Sequence, residues 1–271
     1  MTLLLPLLIL LAFVCLLAGW GIVRKLRVLR AQLAAYRKGD YLGQLEIIEG
    51  FRTRESEPSD YLFFRGSALL ELGRLEEAER ALRRSLSMET NPALRIVARD
   101  ELGLVLMEQG RWDEAAACFQ ACIAENPARG GGHRGMAEVL LRQGEQRAAA
   151  LDAARLAVGA DRAAKVARGW LGKEEHDDSL SESLAFLAWA LARNSADRTE
   201  VESALNEAFA LCERNTKPIL ARLHFCAGHA YAILGDVSES ARHFRSACEL
   251  DPLGNYGRLA RSAGATAGPP T

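Results

Sequence analysis

Five glycines, each set between two helix-forming stretches, constrain this chain more than any other feature. Gly39, Gly73, Gly110 and Gly144 fall 34, 37 and 34 residues apart, and Gly235 closes a further copy nearer the end. Around Gly110 the unit is complete, LGLVLMEQGRWDEAAACFQACIAENP from Leu102 to Pro127. Gly110 can adopt the left-handed conformation that ends a helix without strain. Gly103 and Ala115 are small enough for two helix axes to approach, and Phe119 fills the space beside them. Pro127 cannot continue the second helix. Behind the other hinges stand Ala78 and Leu82, Ala149 and Ala153, and Ser240 and Phe244. A generic bundle rich in Ala and Leu has no reason to repeat its hinge, whereas stacked helical hairpins do.

Leu102, Gly103, Ala115, Phe119 and Pro127 at these spacings resemble the tetratricopeptide repeat, a helix-turn-helix unit of about 34 residues. The last copy adds Gly228, Tyr231, Ala247 and Pro252 in matching places. The resemblance implies an all-α solenoid of about five to six hairpins, near residues 24–52, 60–90, 92–126, 130–158, 181–212 and 218–251. No run of alternating β-branched residues suggests a strand, and Ala, Leu, Arg and Glu favour helix. Several junctions are irregular. Gly130 to Gly132 suggest a helix that begins late or loosely, and Asp161 to Gly172 reads as a short extra helix. Lys173 to Ser179 reads as a charged surface loop, and Ser195 stands where a hinge glycine is expected, in a longer turn. Leu253 to Ala263 is expected to form a capping helix before a disordered tail.

Ahead of the repeats, Leu3 to Val23 is an uncharged apolar run. As a helix it spans roughly 31 Å, against a hydrocarbon core of roughly 30 Å. Residues 1–23 are therefore expected to be a transmembrane anchor in contact with the lipid bilayer, with the repeat domain at 24–263 and a tail at 264–271. A cleaved signal peptide would want a basic residue before the apolar core, and the chain opens with Met1 and Thr2. A lipoprotein site at Cys15 is poorly supported, since Val14 precedes it and the apolar run continues beyond it. Arg24, Lys25, Arg27 and Arg30 follow the run, which puts the repeats in the cytoplasm by the positive-inside rule and offers contacts to lipid head groups. No Gly or Pro interrupts Arg24 to Lys38, so the anchor is expected to run into the first repeat. Leu26, Leu29, Leu33 and Tyr36 could alternatively form a short dimerisation seam.

With 34 basic against 35 acidic side chains the chain carries no global signal for nucleic acid. The six cysteines form no C-x-x-C pair. Cys118 and Cys122, one turn apart, could hold a soft metal but read as small core residues. His224 and His229 are too far round one helix to share a metal, and Glu101 and Glu108 read as one exposed helical face. No nucleotide, zinc-protease or hydrolase motif occurs. The expectation is a non-enzymatic protein without metal or cofactor.

Stacked hairpins provide a curved surface lined by the first helix of each unit. The family resemblance implies that a protein or peptide binds there. Matching positions are Phe63, Leu70 and Glu71; Asp100, Leu104, Met107 and Glu108; Arg134, Glu138, Leu141 and Arg142; and Phe225 and His229. The apolar members could instead pack between neighbouring repeats. The Lys, Asn and Arg clamp of chaperone-binding members is missing, with Phe63, Ser67 and Leu102 at the corresponding positions. An anchor joined directly to cytoplasmic repeats is similar in layout to the lipopolysaccharide assembly protein B family, without that family's C-terminal metal-binding cysteines. The expected role is a scaffold at the cytoplasmic face of a bacterial inner membrane, with envelope or lipopolysaccharide homeostasis as its setting by analogy of layout. The alternative is a periplasm-facing assembly factor for pili, cytochromes or outer-membrane proteins.

Overall fold

A computed structural model describes residues 23, 26–50, 58–168, 177–212 and 216–266. The expected transmembrane run up to Ile22, together with Arg24, Lys25 and most of the linkers near 52 and 173, lies outside them. Among the described residues there are thirteen helices and no strand. They are α1 (26–38), α2 (Tyr41–Glu49), α3 (Ser59–Glu71), α4 (Leu75–Met88), α5 (Pro92–Glu108), α6 (Trp112–Glu125) and α7 (Gly130–Gln143). There follow α8 (Arg147–Arg168), α9 (Asp178–Arg193), α10 (Arg198–Leu211), α11 (Lys217–Ile233), α12 (Val237–Leu250) and α13 (Asn255–Thr266).

Consecutive helices pair as hairpins, and the hinge glycines explain how. Gly39, Gly73, Gly110, Gly144 and Gly235 all have positive φ, between 71° and 83°. At Gly110 the N–H reaches Met107 O and the next N–H reaches Leu106 O, and the same pair of bonds recurs after α1, α3 and α11. Ser195 takes this place after α9 with φ 58°, donating to Ala192 O while Ala196 donates to Leu191 O. An L-residue in this conformation is strained by roughly 1 kcal/mol. Ser195→Gly is therefore expected to raise stability by about 0.5–1 kcal/mol in urea unfolding. No gain would mean that the turn is held by something other than its left-handed residue.

The small-against-large rule holds from unit to unit. A β-carbon on Gly66 would lie 2.6 Å from Leu82, one on Gly103 2.7 Å from Phe119, and one on Gly228 2.6 Å from Phe244. Ala78, Ala115, Leu82 and Phe119 are fully buried.

Five readings of the sequence need correction. Gly144 caps α7 directly, one place earlier in the turn than the other hinge glycines, and α8 starts only at Arg147, so Ala150 and Ala154, not Ala149 and Ala153, are buried. The glycines at 130–132 do not delay α7; they form its first turn. Side chains there would strike Asp161 (2.4 Å from a Gly130 β-carbon) and Asp100 (2.6 Å from one on Gly131). No separate helix begins at Asp161, because α8 runs unbroken through Gly159 to Arg168. The charged stretch after residue 173 ends in structure: Asp177 is buried and accepts from Leu180 N as the cap of α9, which starts at Asp178. At the far end α13 reaches Thr266, so the first three residues of the expected tail are helical.

The first helices of successive pairs touch one another, α3 with α5, α5 with α7, α7 with α9 and α9 with α11, and so form the inner wall of the solenoid. The wall curves until the two ends meet. Tyr41 donates its hydroxyl proton to Asp251 Oδ2 at 2.6 Å, although 210 residues separate them.

Candidate functional site

The inner wall is charged rather than apolar. Arg134 on α7 reaches Glu182 on α9 at 3.1 Å and Asp161 on α8 at 3.7 Å. Arg222 on α11 binds the other oxygen of Glu182 at 2.6 Å. Arg142 pairs with Glu108 on α5 at 2.5 Å and approaches Glu138 at 3.7 Å. Tyr256 on α13 donates to Glu138 Oε2 at 2.8 Å, and the Arg222 guanidinium lies 4.4 Å from the centre of its ring. These side chains are 2–16% exposed across the ion pairs, so the network is largely desolvated and its partners depend on one another.

Acids outnumber bases on this wall. Burial pushes the Glu71 and Glu101 carboxyls up to about 7, and it raises Asp100, Glu138 and Asp251 as well. Asp100, Glu101 and Arg134 retain some accessible surface while standing deep within the ring. The reading of Glu101 and Glu108 as one exposed face is therefore wrong: both belong to the inner wall, and the Glu108 side chain is 10% exposed.

The residues matched to a binding surface divide in two. Glu71, Asp100, Glu108, Arg134, Glu138 and Arg142 meet on the inner wall. Leu70 and Met107 are buried in the core shared by the second and third hairpins, with Phe63 and Leu104 at its margin. Leu141 and Phe225 lie in the core of the following hairpins. His229 stacks on Trp189 at 4.4 Å and meets Phe225 edge-on at 4.6 Å. Sequence reasoning missed Asp161, Glu182, Arg222, Asp251 and Tyr256. A signal existed for two of them: Glu182 in SLSESLAF and Arg222 in PILARLHF are lone charges inside apolar first helices.

Away from this wall, Arg27 and Arg30 lie on α1 beside Leu26, Leu29 and Leu33, each close to half-exposed. Arg30 helps to line a groove of about 610 Å³ with Leu33, Arg37, Lys38, Lys217 and Leu250, where α1 comes beside the last hairpin. Cys118, Cys122, Cys226 and Cys248 are free thiols; Cys122 donates to Ile96 O at 3.5 Å and burial pushes its thiol up to about 12. Among the described residues no group of three or more His, Cys, Asp or Glu is arranged to hold a metal.

The last hairpin also holds an imidazole pair. His224 Nδ1 lies 2.8 Å from His243 Nδ1, so one ring must donate to the other, and Phe209 and Tyr231 cover them. Burial holds His224, His229 and His243 down at about 4. Unfolded imidazoles titrate near 6.5, so stability from keeping these rings neutral is full above that pH and is lost as pH falls from about 6.5 towards 4. Glu71 and Glu101 act in the opposite sense, since their contribution is full below about 4.5 and is lost as pH rises through about 7. Imidazole NMR titration separates the two, and all three rings are expected to stay neutral to below about pH 5. A midpoint above about 6 for any of them would contradict the burial that the packing implies.

Fold and inner wall together define a helical-repeat interaction protein. Residues 29–93 and 101–165 match the family described as the tetratricopeptide repeat, and the described residues form an all-helical solenoid of that type. Proteins of this kind bind protein partners. A thermophilic TPR protein of Thermus thermophilus is similar in fold, with 21% identity, TM-score 0.51 and coverage of 77% of this chain and 98% of that one. Yeast Tom70 is 15% identical with TM-score 0.48, covering 84% of this chain and 46% of Tom70. BtubC from P. vanneervenii is 15% identical with TM-score 0.48, covering 90% of this chain and 94% of BtubC. No curated protein matches the chain.

Proposed function

We propose that this chain is a membrane-anchored scaffold that binds a protein partner on its concave inner wall at the cytoplasmic face of a bacterial inner membrane. The observation that carries the binding half of this reading is the convergence of Glu71, Asp100, Glu138, Arg142 and Arg222 from four different first helices on one surface. A set of charges so placed gives register and selectivity to an incoming segment. The raised thiols of Cys118 and Cys122 favour a non-catalytic scaffold over a redox enzyme, whose reactive cysteine would have a lowered pKa.

The anchoring half rests on the apolar run from Leu3 to Val23 and on the cations that follow it. Among the described residues no helix is long and apolar enough to cross a membrane, and nearly all of the run lies outside them. Arg27 and Arg30, with the half-exposed leucines of α1, suit a surface lying against the bilayer interface. A role in envelope or lipopolysaccharide homeostasis follows from the layout alone and is the narrowest part of the proposal. A reporter active only outside the cytoplasm, fused after Thr271, is expected to be silent while the chain stays intact and membrane-bound. An active reporter would transfer the scaffold to the periplasmic side. Photo-crosslinkers at Asp100 and Arg134 are then expected to capture a partner that crosslinkers on the outer helices, at Arg84 and Gln120, do not.

A further inference from the structure

The inner wall is already occupied, by the chain itself. After α12 the backbone bends at Asp251–Gly254 and enters α13 with Asn255, Tyr256, Gly257 and Arg258 turned inward. The Asn255 N–H donates to Glu71 Oε2 at 2.8 Å. Tyr256, 3% exposed, donates to Glu138, lies under Arg222 and meets Phe225 at 5.5 Å between ring centres. Arg258 donates to the carbonyls of Leu70, at 3.3 Å, and of Glu71. Leu70 O already accepts from Gly73 N–H, whereas Glu71 O lies at the last turn of α3, where a helix leaves its acceptors without intrahelical partners. The bend itself demands glycine, because a β-carbon on Gly257 would lie 1.8 Å from the backbone oxygen of Asp251.

Each of these positions takes one occupant. Anything that reaches Glu71, Glu138 and the open face of Arg222 has to remove Tyr256 and Arg258 first. Removing them uncovers the Glu71 and Glu138 carboxylates and the Glu71 carbonyl, which a comparable set of donors would satisfy. Glu138 Oε1 has no hydrogen-bond partner even with Tyr256 in place, so the wall has an acceptor to spare.

We propose that the segment from Asp251 to Arg258 is a ligand of the inner wall held in cis, and that the partner takes its place with a peptide presenting Tyr-Gly-Arg. This deepens the scaffold reading and rests on the inner wall being its binding surface. The segment reports the chemistry of the replacement: an aromatic hydroxyl for Glu138, a ring face for Arg222, and a guanidinium two residues later for the end of α3. Burial raises the Glu71 carboxyl, while the Asn255 N–H, Arg222 and Arg258 oppose that rise. The donors of the segment therefore suit Glu71 in its ionised form, as would the donors of a peptide that replaced them.

The test uses a fluorescent peptide of residues 250–263 and, as control, the same peptide with alanine for Tyr256 and Arg258. Both are titrated against the full-length chain and against Y256A/R258A, with hydrogen exchange followed in α2 and α13. The double variant is expected to bind the native peptide at least roughly tenfold more tightly than the unaltered chain does, because the competing segment no longer holds the site. It is also expected to ignore the control, and to lose protection in both helices while keeping its helix content. Because loss of a buried ring can unsettle the last hairpin, Y256F/R258M is read in parallel; it keeps the ring, removes both sets of donors, and should show the same ordering with a smaller effect. Unchanged protection in both variants would overturn the closure by these contacts. Lost protection without peptide binding would overturn the idea of a replaceable ligand. If the peptide binds but no crosslinked partner is ever found on the inner wall, the self-contact stands and the scaffold reading fails.

Discussion

Replacing Arg222 by methionine is expected to lower stability by about 3–5 kcal/mol in urea unfolding, a drop of roughly 10 °C in Tm for a repeat domain of this size. Arg222 is 13% exposed at its side chain, and its charge is enclosed between Glu182 and the Tyr256 ring. Burial by itself opposes the charge, yet Glu182 and Tyr256 hold the guanidinium firmly protonated. Methionine fills much of the volume but leaves Glu182 to Arg134 alone and deprives Tyr256 of its cation. Arg222→Lys retains charge without the flat face that stacks on a ring, and should fall between the two. A loss below about 1 kcal/mol for the methionine variant would mean that water reaches this network and that the pairs behave as surface bridges.

Phe119→Ala is expected to have an effect of the same size, about 3–5 kcal/mol, through a different mechanism. The ring is fully buried, and two glycines from two hairpins press on it: β-carbons on Gly103 and Gly135 would lie 2.7 Å and 2.3 Å from its atoms. Truncation therefore leaves a cavity where neither backbone can follow without disturbing its own hairpin. Gly103→Ala in the native background overpacks the same place and should cost about 1–3 kcal/mol. Combined, the two changes are expected to be less than additive, since the new methyl enters the space the ring has left. Strict additivity in the double variant would show that Gly103 is constrained by something other than Phe119.

Phe119 and Arg222 mark what could and could not be read from the sequence. Phe119, Gly103 and Gly110 belong to a pattern that recurs with a period, and periodicity in sequence maps directly onto repetition in space. One irregularity was invisible for a local reason. Gly144 itself caps α7, and with alanine at 148, 149, 150, 153 and 154 small side chains stood on both faces of α8, so size did not mark which one turned inward. Arg222 and Tyr256 belong to another category. Their meeting with Glu138, and that of Asp251 with Tyr41, depends on how far the solenoid has turned by its last hairpin. That sum of small rotations is carried by no single motif. Glu101 was misplaced for the same cause: a carboxylate on the inner wall looks, in one dimension, like any carboxylate on a helix.

A stack of repeats is ordinarily a line, in which each unit feels only its neighbours and the outermost ones melt first. Tyr41 bound to Asp251, and Glu71 bound to Asn255 and Arg258, remove that freedom. Terminal units that would fray separately are instead one junction, and opening either exposes both. Heat or denaturant then has no free end to begin from, and the molecule resembles a closed hoop whose strength is that of its clasp. The residues of the clasp, and not the number of repeats, set how the domain comes apart.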